Sequence, residues 1–514
     1  MFAKLRYLLF PVLNIVGIVL LLFSAAEFLG FFVSLSFGDG AAFGFLFGAI
    51  TTVLCALALI ALTKNDKRDL LPRDGFLLAS LLWSILPIFA ALPLTSLADS
   101  SFSLAYFEAM SGITTTCATV FSADHLPESI NFWRALLSWL GGMGILILAI
   151  ALLPLMGVGG SQLFRFVNLC QTTPSISPLF GIGTNKAAVT NTELGATIEV
   201  TKITPRIAST AKGLWWIYFA LSVACFLGYK FAGMSWFDAI VHAFSTVSLG
   251  GFSSHDASFA YWPDSSIHLI CVFFMFISGM SFTLHFLAWK HRSVTLYLRD
   301  PEARSWIAVL IFGILFVTGI LFFSGNYSSL KEALFDALFN VVSLASTTGF
   351  SSTDYTHWPV TASVLTLCLA AFATCSGSVG GGIKMMRALI LLKQLSRGFL
   401  QTLHPKAIIP LRVNKVPVPD AIVFMVLNFL LLWTATLLGA SLCLIATGLD
   451  VASAFSATFA CLTNTGPGLA NVGPAVNYGI LQAPQLWICT FCMLIGRLEI
   501  VTVFVLFTRD FWRL

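Results

Sequence analysis

The sequence predicts an all-α polytopic membrane protein, in which four span–pore-helix–loop–span repeats surround a central pore and two further spans precede them, about ten spans in all. Three observations predict it. The chain of 514 residues is 58% hydrophobic and only 10% charged, with 48 Phe and a mean hydropathy of +0.90. That is more apolar side chain than a soluble domain can hide. Next, four short polar pieces lie between long apolar runs: Thr114–Thr119 (TTTCAT), Ser248–Ser254 (SLGGFSS), Ala345–Ser352 (ASTTGFSS) and Thr463–Gly468 (TNTGPG). Non-helical backbone at membrane depth survives only when it is buried in protein or lines a water-filled path. Finally, the four pieces share their surroundings. With Cys117, Gly251, Gly349 and Gly466 set as equivalent, a second glycine follows each at Gly144, Gly279, Gly377 and Gly496, after 27, 28, 28 and 30 residues. Similarity at a near-fixed spacing marks duplicated units.

The elements follow in order. Residues 1–70 hold two additional spans, about 8–33 and 42–63. The start MFAKLRYLLF has the charged beginning of a signal peptide, but the apolar run after it reaches Val33, too long for an h-region, so it reads as a retained span. Residues 71–160 form the first pore repeat, and 161–210 a cytoplasmic connection too broken to be a soluble domain. Residues 211–292 form the second repeat, 293–400 the third and 401–514 the fourth. Within each, a half-helix of near 12 residues, about 18 Å long, reaches the midplane and returns as the polar loop. These half-helices are expected at 103–114, 236–247, 334–345 and 451–462. Phe237-Asp238-Ala239 and Phe335-Asp336-Ala337 sit at the same offset before their glycines, and Phe107-Glu108-Ala109 sits one helical turn nearer Cys117. An acid at the outer end suits the positive end of a helix dipole, so Asp238 and Asp336 read as caps, while the opposite end favours a cation.

Charge placement sets the expected orientation. On this loop assignment 23 of the 28 Lys and Arg fall on one side, and Arg134, Lys230 and Lys331 on the other. The positive-inside rule then puts both termini in the cytoplasm. Cys489 and Cys492 have CxxC spacing, but they lie mid-span without a His ligand and read, like the other Cys, as small buried hydrophobes. His242, His255, His285 and His357 are dispersed over different repeats, as packing or interface residues. They form no cluster at one depth of the kind a membrane enzyme needs, so no catalytic residue is assigned.

The segments STTGF at 346–350, TVSLGGFSSHD at 246–256, NTGPG at 464–468 and GRLE at 496–499 resemble the Trk/Ktr/HKT superfamily, and most closely its TrkH branch of bacterial potassium uptake. The resemblance covers nearly the whole chain, including the two additional N-terminal spans. It implies K⁺ as the transported ion, a bacterial inner-membrane location and a homodimer with one pore per protomer. It also implies a cytoplasmic TrkA-type regulatory subunit, with nucleotide on that partner and no covalently bound cofactor here.

K⁺ must shed water in a narrow filter, where backbone carbonyls replace that water. By position the filter lines are Thr115, Thr116 and Cys117; Leu249, Gly250 and Gly251; Thr347, Thr348 and Gly349; Asn464, Thr465 and Gly466. Cys117 departs from the family, whose first loop usually has Gly there; in plant relatives Ser at this place goes with Na⁺ permeability. Two readings stay open: a Cβ that weakens K⁺ selection, or a harmless occupant whose φ is negative. The second span of the third repeat reads CSGSVGGGIKMMR. The resemblance carries the intramembrane gating loop to Ser376–Lys384, with Gly377, Gly380, Gly381 and Gly382 as its breakers; close helix packing is the alternative. Arg497 matches an arginine that the family places beneath the filter as an electrostatic barrier, the alternative being a structural salt bridge. Glu499 faces roughly the other side of the helix, so it is not expected to be its partner. Lys384 either shares the barrier or snorkels to the interface. A Na⁺-permeable or H⁺/Na⁺-coupled symporter of the same fold is the rival function, although rocking transporters are built from paired inverted repeats rather than four in one direction.

Overall fold

The computed structural model describes residues 2–64, 68, 70–97, 100–151, 204–414 and 416–513. The expected connection at 161–210 lies outside these up to residue 203. Two antiparallel helices come first, α1 (Phe2–Phe37) and α2 (Ala42–Thr63), packed along their length. The first was expected only over 8–33. The helix outruns its apolar stretch because helical hydrogen bonding continues past the bilayer-facing residues, and at 36 residues it is about 54 Å long against a hydrocarbon core of about 30 Å.

Each repeat then has the expected order. The first comprises α3 (Pro72–Ala90), the single turn α4 (Leu92–Thr95), the half-helix α5 (Phe102–Ile113) and α6 (Glu128–Ala151). The second comprises α7 (Thr204–Phe231), α8 (Trp236–Val247), α9 (Ser265–Ser278) and α10 (Phe282–His291). The short α11 (Thr295–Arg299) leads to the third, made of α12 (Pro301–Phe323), α13 (Leu330–Ala345), α14 (Val360–Phe372) and α15 (Met385–Leu403). After a two-residue hairpin, β1 (Arg412–Val413) against β2 (Val416–Pro417), the fourth comprises α16 (Asp420–Ala446), α17 (Val451–Thr463), α18 (Ala483–Leu498) and α19 (Ile500–Phe504). A last turn, α20, spans Arg509–Trp512.

Among the described residues, seven helices are long and apolar enough to cross a bilayer, or nine if each of two bent pairs counts as one span. The tenth expected span corresponds to α14, an apolar helix of only 13 residues. The breaks fall where the midplane glycines sit. Gly279 lies at the 91° bend between α9 and α10, Gly377 lies in the interruption between α14 and α15, and Gly496 precedes the 110° bend at Glu499. Gly144 sits well inside a continuous helix, far from any break.

The half-helices occupy the middle of the molecule. One apolar core joins the first two helices to repeats 1 and 4 around Phe107, Trp133, Phe459 and Met493. A second joins repeats 1, 2 and 3 around Tyr218, Phe259, Trp306 and Phe350. Half-helices α8 and α17 match expectation within a residue, and α5 is displaced by one. Helix α13 starts at Leu330, a turn before the expected 334. Asp336 therefore lies inside the helix rather than at its end, and its role as a cap is corrected below.

Candidate functional site

The four polar loops repeat one backbone design. Each half-helix ends with a residue at positive φ: Thr115 (51°), Leu249 (54°), Thr347 (62°) and Asn464 (54°). The next amide reaches back five residues, Thr116 to Ser111 O, Gly250 to Ser245 O, Thr348 to Ser343 O and Thr465 to Ala460 O, at 2.8–2.9 Å. This is the six-to-one hydrogen bond of a Schellman cap, whose left-handed residue is usually Gly or Asn. Only Asn464 fits that preference. A left-handed conformation costs an ordinary residue about 1–2 kcal/mol, and strain of this kind collects at functional sites.

Two residues on, φ is positive again: Cys117 (69°), Gly251 (62°), Gly349 (87°) and Gly466 (91°). At these positions the loops meet. A Cβ added to Gly251 would collide with the Thr348 carbonyl oxygen, one on Gly349 with that of Thr465, and one on Gly466 with that of Thr116. Each glycine thus faces the carbonyl of a neighbouring repeat. Those three added Cβ atoms would also stand 3.0, 3.4 and 2.9 Å from the Cβ of Cys117. The four directions converge on one point, and of the four residues only Cys117 puts atoms there. Its φ of 69° removes the reading in which a negative φ makes the thiol harmless.

Side chains brace this ring from behind. Hydroxyl pairs join Thr114 to Thr116, Ser346 to Thr348 and Thr463 to Thr465 at 2.7–2.9 Å. In repeat 2, where Gly250 has no hydroxyl, Ser138 fills the space: its Cβ and Oγ lie 2.6 and 2.8 Å from where a Gly250 Cβ would stand. In repeats 1 to 3 the residue nine before the convergence point holds the segment that follows the loop. Glu108 accepts from Val120 N (2.8 Å), His242 meets Ser253 Oγ (3.0 Å), and Asn340 accepts from Ser352 N (3.3 Å). In repeat 4 that residue is Ala457, and the neighbouring Ser456 Oγ accepts from Leu469 N (3.1 Å) instead. Glu108 is itself paired with buried Arg134 at 2.7 Å. Asp238 does belong to a helix start, accepting from the N-cap Ser235 Oγ (2.7 Å), but it also accepts from Ser254 Oγ (2.6 Å). Asp336 accepts from Tyr327 Oη (2.7 Å) and Ser352 Oγ (3.4 Å). It is a brace and not a cap. The sequence signal for His242 and Asn340 was the shared offset of nine, which a search for charge alone passes over.

Cavities flank the ring. One, about 170 Å³, is lined by Cys117, Gly251, Gly349, Pro467 and Arg134 together with the strands that follow the loops. The other, about 80 Å³, is lined by the Gly377–Gly382 stretch, Lys384, Arg387, Arg497 and Glu499. The stretch from Ala373 to Lys384 is not helical and presses on the base of two loops. Gly381 N donates to Thr347 Oγ1 (3.0 Å), and a Cβ on Gly381 would strike Thr463 O. Lys384 has φ of 75° and donates Nζ to Gly380 O. Arg497 is buried and donates to Val379 O (2.6 Å), joining that stretch to the last span; Nε and Nη2 have no hydrogen-bond partner among the described residues. No carboxylate among the described residues pairs with it. Glu499, at the bend with φ of 64°, instead pairs with Arg387 at 2.8 Å.

The profile of the TrkH family, described as a cation transport protein, matches residues 43–168 and 172–513. The chain belongs to this family. It is 42% identical over 510 residues to the Trk system potassium uptake protein TrkH of Halomonas elongata, covering 98% of this chain and 99% of that one. It is 39% identical to the Trk system potassium uptake protein TrkH of Escherichia coli K12, covering 97% and 98%. The crystal structure of the potassium transporter TrkH from Vibrio parahaemolyticus superposes with a TM-score of 0.85 at 36% identity, covering 98% of this chain and all of that one. A TrkH-family chain is a multi-pass membrane transport protein, and the reading as a membrane enzyme is closed.

Proposed function

We propose that the protein is the potassium-translocating subunit of a Trk-type uptake system. K⁺ passes along the axis of the four loops and is coordinated by the carbonyls of residues 115–117, 249–251, 347–349 and 464–466. The observation that carries this reading is the fourfold recurrence of one strained backbone design, with each glycine set against a neighbouring repeat's carbonyl. Carbonyl rings of this kind replace the water that K⁺ sheds. The stretch Ser376–Lys384 and Arg497 act below the ring as the gate. The names of the relatives support K⁺ as the ion, and the position of that stretch and the unpaired nitrogens of Arg497 support the gate.

A Na⁺-permeable pore is a second reading, favoured by one observation: Cys117 puts a side chain where the three glycines put none. Vesicles holding the purified chain, with K⁺ or Na⁺ gradients as the only driving force, separate the two. Wild-type protein is expected to pass K⁺ ahead of Na⁺, and Cys117→Gly to raise that ratio by about tenfold or less, on the order of 1 kcal/mol. An unchanged ratio would take the thiol out of the ion's path.

Two copies associate in the bacterial inner membrane with both termini cytoplasmic, and a nucleotide-binding TrkA-type subunit docks on the basic cytoplasmic segments. Family membership and the one-sided charge support this. The densest segment carries Lys393, Arg397, Lys406, Arg412 and Lys415, the last outside the described residues. Arg397 is engaged by Asp420 (2.9 Å), and Lys393 donates to Arg412 O (2.9 Å). Lys406 and the Arg412 side chain are exposed. Lys406→Glu with Arg412→Glu is expected to weaken capture of the regulatory subunit by pull-down while membrane insertion is unaltered. Full capture by this double variant would exclude the surface.

A further inference from the structure

Glu302 is fully buried in the first turn of α12, two residues after the N-cap Asp300. In sequence it is an ordinary first-turn acid beside a proline. In the fold its Oε1 accepts two backbone amides, Ser376 N at 2.6 Å and Met386 N at 3.0 Å. These lie on opposite stems of the non-helical stretch, with all four glycines of Gly377–Gly382 between them. Its other oxygen has no hydrogen-bond partner among the described residues. The stems also meet directly, through Met385 N to Thr374 O (2.7 Å) and Ile383 N to Ala371 O (2.6 Å). Within the stretch Thr374 Oγ1 donates to Gly381 O (2.7 Å), and Gly377 O accepts from Phe282 N (3.0 Å). The backbone contacts fix how the stems run. The carboxylate fixes where both stems sit against α12, the first span of the same repeat.

We propose that Glu302 is the positioning residue of this stretch: one carboxylate oxygen holds both stems, so that the glycine-rich tip stays pressed on the base of the loops. The inference rests on the gating role proposed above, and it adds a residue that neither touches the ion nor lies in the stretch itself. One oxygen shared by two amides holds both in one place, and an amide left without its acceptor costs more than the bond itself contributes. Losing this acceptor leaves two N–H groups without a partner at once, one buried at Met386 and one part-buried at Ser376.

The test uses the full chain in lipid nanodiscs for hydrogen–deuterium exchange across residues 373–387, and in vesicles for K⁺ flux without a regulatory subunit. Glu302→Ala is expected to speed exchange of the Ser376 and Met386 amides on the order of tenfold or more, and to raise regulator-free flux severalfold. Glu302→Gln keeps an acceptor oxygen in place and is expected to hold both readouts near wild type. If Glu302→Ala does not fold, Glu302→Asp decides, because a side chain one carbon shorter does not reach both stems, and faster exchange at one or both amides is expected. Wild-type exchange in the shortened variant overturns the proposal, as does exchange in Glu302→Gln as fast as in Glu302→Ala. Faster exchange with unchanged flux leaves the positioning role standing and overturns the gate reading instead.

Discussion

Arg497→Ala is expected to raise K⁺ flux in the absence of any regulatory subunit, by as much as a hundredfold. A guanidinium about 6 Å from a passing cation, at an effective dielectric constant near 20, repels it by roughly 3 kcal/mol. Water in the passage lowers this figure, so it bounds the effect from above. The geometry adds a second contribution. Arg497 donates to Val379 O, so removing the side chain also cuts a tie between the last span and the glycine-rich stretch. Shortening the stretch across Gly380–Gly382 is therefore expected to raise flux as well. The two changes combined are expected to give less than the product of their separate effects, since neighbours that share a contact are not additive. Stopped-flow or ⁸⁶Rb⁺ uptake into vesicles measures this. A folded Arg497→Ala protein with unchanged or lower flux makes Arg497 a structural charge.

The second large effect belongs to the ring glycines. Gly349→Ser places a Cβ against Thr465 O at a residue whose φ is 87°, and Gly251→Ser does the same against Thr348 O at 62°. Each change adds roughly 1–3 kcal/mol of backbone strain and displaces a neighbouring repeat's carbonyl from the axis. K⁺ over Na⁺ discrimination is expected to fall by an order of magnitude or more in each, since ~1.4 kcal/mol is a factor of ten. Each added Cβ also crowds a second neighbour, Pro467 Cδ at 2.9 Å for Gly349→Ser and Cys117 Sγ at 2.7 Å for Gly251→Ser, so neither is expected to be mild. Bi-ionic reversal potentials give the ratio directly. Wild-type ratios in both variants, with normal folding, would remove the four loops from the selection step.

Much of this was legible along the chain because the information is local and repeated. Hydropathy marks the spans, since lipid tolerates little else. Short polar pieces between apolar runs mark the half-helices and loops, since open backbone at that depth needs a protein-lined interior. Four copies at nearly one spacing make the pattern much stronger than any single copy. Ser376–Lys384 and Arg497 were reached through family resemblance, which the family match supports. The start of α13 lies a turn earlier than expected because a length of about 12 residues was carried over from the other repeats, although Leu330–Ala333 (LKEA) is made of strong helix formers; Asp336 was misread as a cap for that reason.

What the sequence by itself determined is the architecture: the membrane class, the four repeats, the half-helices and the glycine-rich break in the second span of the third repeat. The tertiary structure alone decided which atoms meet. No spacing rule connects Glu302 to amides 74 and 84 residues away, or pairs Arg387 with Glu499 and leaves Arg497 with a backbone carbonyl. Nor does the sequence tell that Cys117 takes a positive φ and turns its Cβ toward the point shared by Gly251, Gly349 and Gly466. Periodicity and hydropathy report the environment a segment needs. Contacts between segments depend on how four similar units close around one axis, and that closure is a property of the packed whole.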